Sequence, residues 1–455
     1  MKHYNLSRSM CEWDELDAWR AKIRERLARG DASLVPPFLL LALPGISAAE
    51  QRSCADLWLQ TRIHDAALAH PEAVFSFARR PSGRLRIGYL SSDFHDHATV
   101  HLLIEMFEAH AREDFELFAF SYGVDDGKAM RTRLQQCFEH FVEVQALSNL
   151  QIAQCIHAAG IDILVDLKGY TQGSRSAVLA FRPAPVQVNF LGYPGTLGAG
   201  LCDYIITDPY LTPASSAADF SEAFAYLPDT YQPHGRQAEV GAQPTRSSQG
   251  LPDEGTVFCC FNQAYKITPE VFDTWCRILA DCPGSVLWLL KDTLAEGNLR
   301  NRAMQRGISP ERLVFAPHRP QVEHLGRLQC ADLILDTTPY NAHTTASDAL
   351  WVGVPLISIV GDTFAARVAG SLLSTVGLQA LIADDLDHYH ALACALAQDP
   401  PRLQALRQRL LRQRDASALF DVQRYTRHLE ALYVLMWQAY QAGGPLSSIA
   451  AAPGN

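Results

Sequence analysis

His343, Thr344 and Thr345 follow an apolar run (333–335) that closes on Asp336, and they precede a helical pattern containing Asp348, Leu350 and Trp351. A helix start offers unpaired N–H groups and the positive end of its dipole, which is an anion site. Thr344 and Thr345 add hydroxyl donors and His343 a switchable one. Asp348, one turn in, is an acceptor suited to a ribose hydroxyl. Any capped loop can carry these residue types, so the anion reading depends on matching loops elsewhere.

Three such loops follow strand-like runs. Asp93, His95, Asp96, His97 and Thr99 come directly after RIGYL, where a carboxylate or imidazole could act as general base on a hydroxyl acceptor. His97 and His101 have the spacing of a metal pair, but no third ligand of evident spacing follows, and metal is the weaker reading. The segment 169–175, ending in Arg175, and the segment 191–196, beginning Leu191-Gly192, are rich in glycines that allow close backbone approach to a ligand, or plain turns. Lys266, in FNQAYK after TVFCC, is placed to neutralise a diphosphate, although a lone lysine is more often a solvated one. The Asp-x-Asp triplet Asp385-Leu386-Asp387 precedes a helical pattern and reads as a cap.

These loops need a scaffold of strands. Runs at 84–90, 115–121, 161–167, 186–191, 204–207 and 223–227 alternate with helical stretches, and so do runs at 256–261, 286–290, 313–316, 333–336 and 356–360. That alternation predicts an α/β protein with two Rossmann-like lobes, ligands sitting at the carboxyl ends of parallel strands. The expected organisation is a helical segment over 1–80, with helices near 13–27 and 48–69, then a first lobe over 81–235. A linker at 236–254 leads to a second lobe over 255–418, a long amphipathic helix over 419–442 and a disordered tail over 443–455. No tetratricopeptide-like unit recurs.

Composition limits the function. A chain of 455 residues exceeds one ordinary core, and 48% apolar with 19% charged residues describes a globular protein. The net charge of −10 argues against nucleic acid as a partner. No apolar run approaches the roughly 20 residues that span a bilayer, so no membrane partner is expected. Eleven cysteines without a C-x-x-C pair point to reduced thiols and the cytoplasm.

The segments LRIGYLSSDF, RPAPVQVNFLGYPGT, DYIITD, FNQAYKI and NAHTTASDALW, with Arg319, His324 and Arg327 between the last two, closely resemble the catalytic region of the O-GlcNAc transferases. The resemblance runs from about residue 84 to about 440, with a fainter trace at Cys11-Glu12-Trp13. It implies a GT-B type fold and an inverting, metal-independent transfer of N-acetylglucosamine from UDP-GlcNAc to Ser or Thr hydroxyls of a polypeptide. UDP-GlcNAc is then a donor substrate, and no cofactor is expected.

Carried over by motif, Lys266, Gln263, His343, Thr344 and Thr345 meet the diphosphate and Asp348 the ribose, with His324 and Arg327 also on the donor side. Asp93, His97 and Thr99 lie near the reacting sugar. Asp93, His97 and the donor phosphate all remain candidates for the proton. Tyr265, Leu191, Gly192 and Arg175 line the sugar and acceptor side. Where animal members carry a lysine, this chain has Gln321, with Arg319 two residues earlier as a substitute charge. Two rivals stand beside this reading: a protein O-fucosyltransferase using GDP-fucose, and a catalytically silent sugar-nucleotide binder.

Overall fold

Continuous apolar runs, not alternating ones, suit strands buried on both faces, and here they build two all-parallel sheets. The computed structural model describes residues 2–63, 70, 74–77 and 83–452. The strands are β1 (Leu85–Ser91), β2 (Phe115–Ser121), β3 (His140–Glu143), β4 (Ile163–Asp166), β5 (Val186–Asn189), β6 (Tyr204–Thr207) and β7 (Ala223–Tyr226). There follow β8 (Val257–Cys260), β9 (Val286–Leu290), β10 (Leu313–Ala316), β11 (Leu333–Leu335), β12 (Leu356–Ile359), β13 (Ile382–Ala383) and β14 (Ile449–Ala450).

The chain divides into two compact units. The first lobe comprises Arg24–Leu40, Ile46–Arg236 and Ala418–Asn455, and its sheet runs β14-β7-β6-β5-β4-β1-β2-β3. The second comprises Met1–Ile23, Leu41–Gly45 and Gln237–Ser417, with the order β10-β9-β8-β11-β12-β13. In the first sheet β1 lies between β2 and β4; in the second β8 lies between β9 and β11. At each of those boundaries the direction of strand addition reverses. At such a switch point the loops of a doubly wound sheet leave toward opposite sides, and ligands sit outside the carboxyl ends of its strands.

The long C-terminal helix Val422–Ala442 belongs to the first lobe. Its apolar stripe (Tyr425, Leu429, Leu432, Tyr433, Met436) joins Ile87, Tyr89, Val165 and Val188 in one core. Inside that core the Tyr89 hydroxyl lies 3.0 Å from the Tyr433 hydroxyl and 2.9 Å from His110 Nε2, while Glu430 accepts from His110 Nδ1 at 2.9 Å. Satisfied buried polar groups of this kind fix one register of helix on sheet.

The expected organisation needs three corrections. The segment 1–80 is not one helical unit: residues 1–23 pack with the second lobe and 24–40 with the first. Its later helix spans Ala48–Trp58 and continues as a wider turn, Leu59–Ile63; the rest of the expected helix, 64–69, lies outside the described residues. The expected linker is part of the second lobe, and Leu251 in it is buried. Its backbone at Gly241–Ala242 crosses the helix Gln321–Leu328 at Gly326, where a Cβ would stand 2.8 Å from the Gly241 carbonyl. The tail is ordered at β14, which pairs with β7, and Ala451 N–H donates to Tyr226 O at 3.0 Å. An exposed edge strand accepts such a partner whatever the tail's side chains.

Candidate active site

At the β8/β11 boundary the second lobe gathers the residues expected to hold a nucleotide. Asp336, the first residue after β11, is buried and accepts from Thr337 N (2.7 Å), Ala342 N (2.6 Å), Asn262 Nδ2 (3.2 Å) and Ser358 Oγ (2.6 Å). Those four bonds fold residues 336–342 into a fixed loop and deliver the chain to the helix Thr344–Trp351. Ala346 and Ser347 N–H bond back to His343 O, so the first-turn donors left over are those of Thr344 and Thr345. Thr345 Oγ1 donates to Asn262 Oδ1 at 2.6 Å, tying the helix start to the loop after β8.

Lys266 ends the short turn Ala264–Lys266 and is only 8% exposed. Its Nζ donates to Asn341 O at 2.9 Å and lies 3.7 Å from the centre of the Tyr340 ring. Burial pulls the ammonium below its ordinary value while the Asp336 carboxylate works the other way. Asp336 itself is pushed up by burial. The arrangement is a cation held by a carbonyl and a ring face, with no carboxylate in a salt bridge to it among the described residues.

The remaining donor-side residues take distinct states. His343 is driven far toward the neutral form by burial and then by Lys266, and its Nε2–H points at Ala365 O at 3.3 Å. In that tautomer Nδ1 is an acceptor, so the anion must be met by Thr344, Thr345 and Lys266. Burial pushes Asp348 up to about 7, leaving an acid that gains from a hydroxyl donor. His324 is lowered to about 4 by burial and Arg327, and it shares a small cavity with Asn262 and Thr345. Arg327, buried and stacked on Phe261, donates to Pro317 O and to His324 Nδ1, so it positions His324. Gln263 is exposed at the head of the turn and Tyr265 half-buried, its ring 6.3 Å from Tyr340. Arg319 is exposed and 3.7 Å from Glu323.

Sequence reasoning missed what braces this turn. Arg8, buried in the first helix Lys2–Ser9, donates to Tyr265 O at 2.9 Å, and Cys11 Sγ contacts Ala264 O at 3.5 Å. A single arginine among surface-type residues gives no signal of that contact.

At the β1/β4 boundary the first lobe presents Asp93, and here the main surprise is Lys168. Both groups are 6% exposed, and Lys168 Nζ lies 2.9 Å from each Asp93 carboxylate oxygen. Asp166 N-terminal to it accepts from Lys168 N and Gly169 N, which hooks the turn that aims the lysine. His97 caps the helix Ala98–Ala109: its Nδ1 accepts the Thr99 N–H at 3.2 Å and lies 3.6 Å from Asp93 Oδ2. Burial lowers the imidazole below its ordinary value, with Asp93 opposing. Neutral His97 therefore carries its proton on Nε2 and offers a donor there. His101 Nε2 lies 2.8 Å from Asp96 Oδ1.

After β5, Leu191 adopts φ 66° and Gly192 passes so close to the turn after β4 that a Cβ would stand 2.0 Å from Leu167 O. A side-chain-bearing residue at 192 would displace the turn carrying Lys168. Arg175 is engaged by Asn149 Oδ1 (2.8 Å) and Leu147 O (2.6 Å). Asp385 caps its helix through His388 N at 2.7 Å, as its sequence context predicts.

Comparison with known proteins finds relatives over nearly the whole chain. The chain is 36% identical over 453 residues to a probable UDP-N-acetylglucosamine–peptide N-acetylglucosaminyltransferase of Arabidopsis thaliana, covering 95% of this chain and 46% of that protein. It is 30% identical to the Caenorhabditis elegans UDP-N-acetylglucosamine–peptide N-acetylglucosaminyltransferase, covering 97% and 49%. The chain therefore spans about half the length of these curated relatives. A mutant O-GlcNAc transferase from Thermobaculum terrenum superposes with a TM-score of 0.84 at 29% identity, over 96% of this chain and 84% of that one. This likeness identifies the α/β, two-lobed architecture as GT-B type. The profile of glycosyl transferase family 41 matches residues 44–238 and 234–429, nearly the whole span that carries the two crevices, and the chain belongs to that family.

Proposed function

We propose that the chain transfers N-acetylglucosamine from UDP-GlcNAc, with inversion, to Ser or Thr hydroxyls of a polypeptide. The observation that carries this reading is the second-lobe crevice. Buried Lys266 and the start of the helix Thr344–Trp351 converge beside Asp348, a cationic cradle for a diphosphate next to an acceptor for ribose. Similarity to the peptide N-acetylglucosaminyltransferases supports the sugar and the acceptor.

In the reaction, the acceptor oxygen attacks the anomeric carbon as the bond to UDP breaks, and the electron pair leaves on the β-phosphate. Lys266 and the Thr344 and Thr345 donors meet that charge where it grows, which lowers the barrier more than uniform binding does. Asp93 is an unsuitable base because both its oxygens face Lys168. His97 offers Nε2–H, a donor. The proton therefore goes to the departing donor phosphate, with His97 orienting the reacting groups. No cofactor or divalent ion is required, because Lys266 and the helix start supply the charge. We place the protein in the cytoplasm with neither nucleic acid nor membrane as partner. Its eleven cysteines are all free thiols, and among the described residues no helix is long and apolar enough to cross a membrane.

Two results follow. Lys266→Ala weakens UDP binding by about 1.5–3 kcal/mol, the range of a charge-assisted hydrogen bond in a desolvated site. A calorimetric titration matching wild type would remove this lysine from the donor site. Incubated with UDP-GlcNAc and Ser/Thr peptides, the enzyme releases UDP and adds N-acetylhexosamine mass equally in EDTA and in magnesium. Loss of turnover in EDTA that magnesium restores would overturn the charge assignment.

A further inference from the structure

Away from both crevices, a carboxylate, an imidazole and a thiol point at one spot on the second lobe. Asp281 ends the helix Pro269–Asp281, and Cys282 is its cap. His390 and Cys394 stand one turn apart on the helix Leu386–Ala397, so they share a face. His390 Nε2 lies 2.9 Å from Asp281 Oδ2 and 3.6 Å from Cys394 Sγ, and the three donor atoms all fall within 4.8 Å of one another.

We propose that Asp281, His390 and Cys394 form a binding site for a thiophilic divalent cation of the zinc class. The donor set is O, N and S, a mixture zinc takes in three-ligand sites that leave the fourth tetrahedral position to solvent. With bonds of about 2.0–2.1 Å to nitrogen and 2.3 Å to sulfur, tetrahedral donors stand roughly 3.6 Å apart for N and S and about 3.3 Å for N and O. The first separation is already present, and the second needs only a few tenths of an ångström. His390 Nε2 faces both Asp281 Oδ2 and Cys394 Sγ, the convergence on one point that a shared cation uses. Both anchoring elements are firm. Cys282 N–H bonds Ile278 O at 3.0 Å, and its carbonyl accepts from Ser285 Oγ (2.7 Å) and Arg312 Nη2 (2.9 Å). Arg277, a neighbouring cation, is engaged by Asp387 at 3.0 Å. Asp281 is exposed, and His390 and Cys394 half-buried, so an ion can enter from solvent.

The site is structural, not catalytic. It joins two helices that already meet at Trp275 Nε1 and the Tyr389 hydroxyl (3.2 Å), and the same hydroxyl reaches Asp336 O at 2.9 Å, beneath the donor loop. Metal occupancy therefore raises thermal stability, and donor turnover does not depend on it.

The test is titration of the reduced, chelator-stripped full chain with cobalt(II). One equivalent should bind with a thiolate-to-cobalt charge-transfer band, zinc should displace it, and zinc should raise the melting midpoint reversibly by EDTA. Cys394→Ser should abolish the band and weaken binding by at least about 100-fold, the upper end of what even an outer-shell change costs. Asp281→Asn, at an exposed position where folding is not at risk, should weaken binding while keeping the band. Absence of a band, a band that survives Cys394→Ser, or binding indifferent to Asp281→Asn would reduce the cluster to an ordinary surface ion pair and overturn the proposal.

Discussion

Lys168→Ala lowers the unfolding free energy by about 3–5 kcal/mol, because it strands a buried carboxylate without its counter-charge. Asp93 would keep only Ser92 Oγ at 3.1 Å and the imidazole at 3.6 Å, neither a substitute for a bidentate ammonium. The β1 and β4 loops should loosen together, since the pair is their direct link across the crevice. Denaturant unfolding of the single variant, with the slope unchanged, measures the loss. Asp93→Asn/Lys168→Met should recover more than half of it, since no unpaired charge is left behind. Lys128, in the neighbouring loop after β2, offers a control: it pairs with Asp96 at 2.7 Å but is exposed, and Lys128→Ala should leave the midpoint where it is. If Lys168→Ala unfolds like wild type, the pair does not organise this crevice.

His97→Ala lowers turnover by at least about 10²-fold while UDP affinity stays nearly constant, the scale expected for a lost positioning or proton-handling group. Alanine also removes a helix cap, which costs about 0.5–2 kcal/mol of stability. His97→Asn separates the effects, because asparagine caps as well as histidine does here but lacks its reach. The asparagine variant should fold normally and still be slow. The pH profile then decides the role. A neutral imidazole that accepts Thr99 N–H at Nδ1 donates from Nε2; protonation at Nδ1 breaks the cap bond but leaves the Nε2–H in place. The wild-type rate should therefore show no acid limb attributable to His97. A tenfold fall per pH unit below its depressed pKa, absent in His97→Asn, would make it the general base.

Much of this was legible in the residue string because buried parallel strands announce themselves as unbroken apolar runs. The runs at 115–121, 204–207, 286–290 and 313–316 coincide with β2, β6, β9 and β10. The HTT helix start and Lys266 were legible for a related reason: both follow such runs directly. β3 escaped because HFVE is a short, half-exposed edge strand without an apolar run. Lys168 escaped because Asp166–Gly169 reads as an ordinary turn. Its partner lies 75 residues away, and only the strand order, with β1 beside β4, brings them together. The same limit hid Asn262 beside Asp336 and Arg8 beside Tyr265. Loop contents are local information; the partner across a switch point is topological.

The most direct measurement of the proposed activity is a donor comparison on one acceptor mixture. UDP-GlcNAc, UDP-glucose and GDP-fucose would each be incubated with the chain and Ser/Thr-containing peptides, and nucleotide release and peptide mass followed together. The expected result is N-acetylhexosamine added to Ser or Thr from UDP-GlcNAc, with stoichiometric UDP release, strongly reduced in Lys266→Ala. Fucose transfer from GDP-fucose, or UDP-GlcNAc bound with no UDP released, would contradict it.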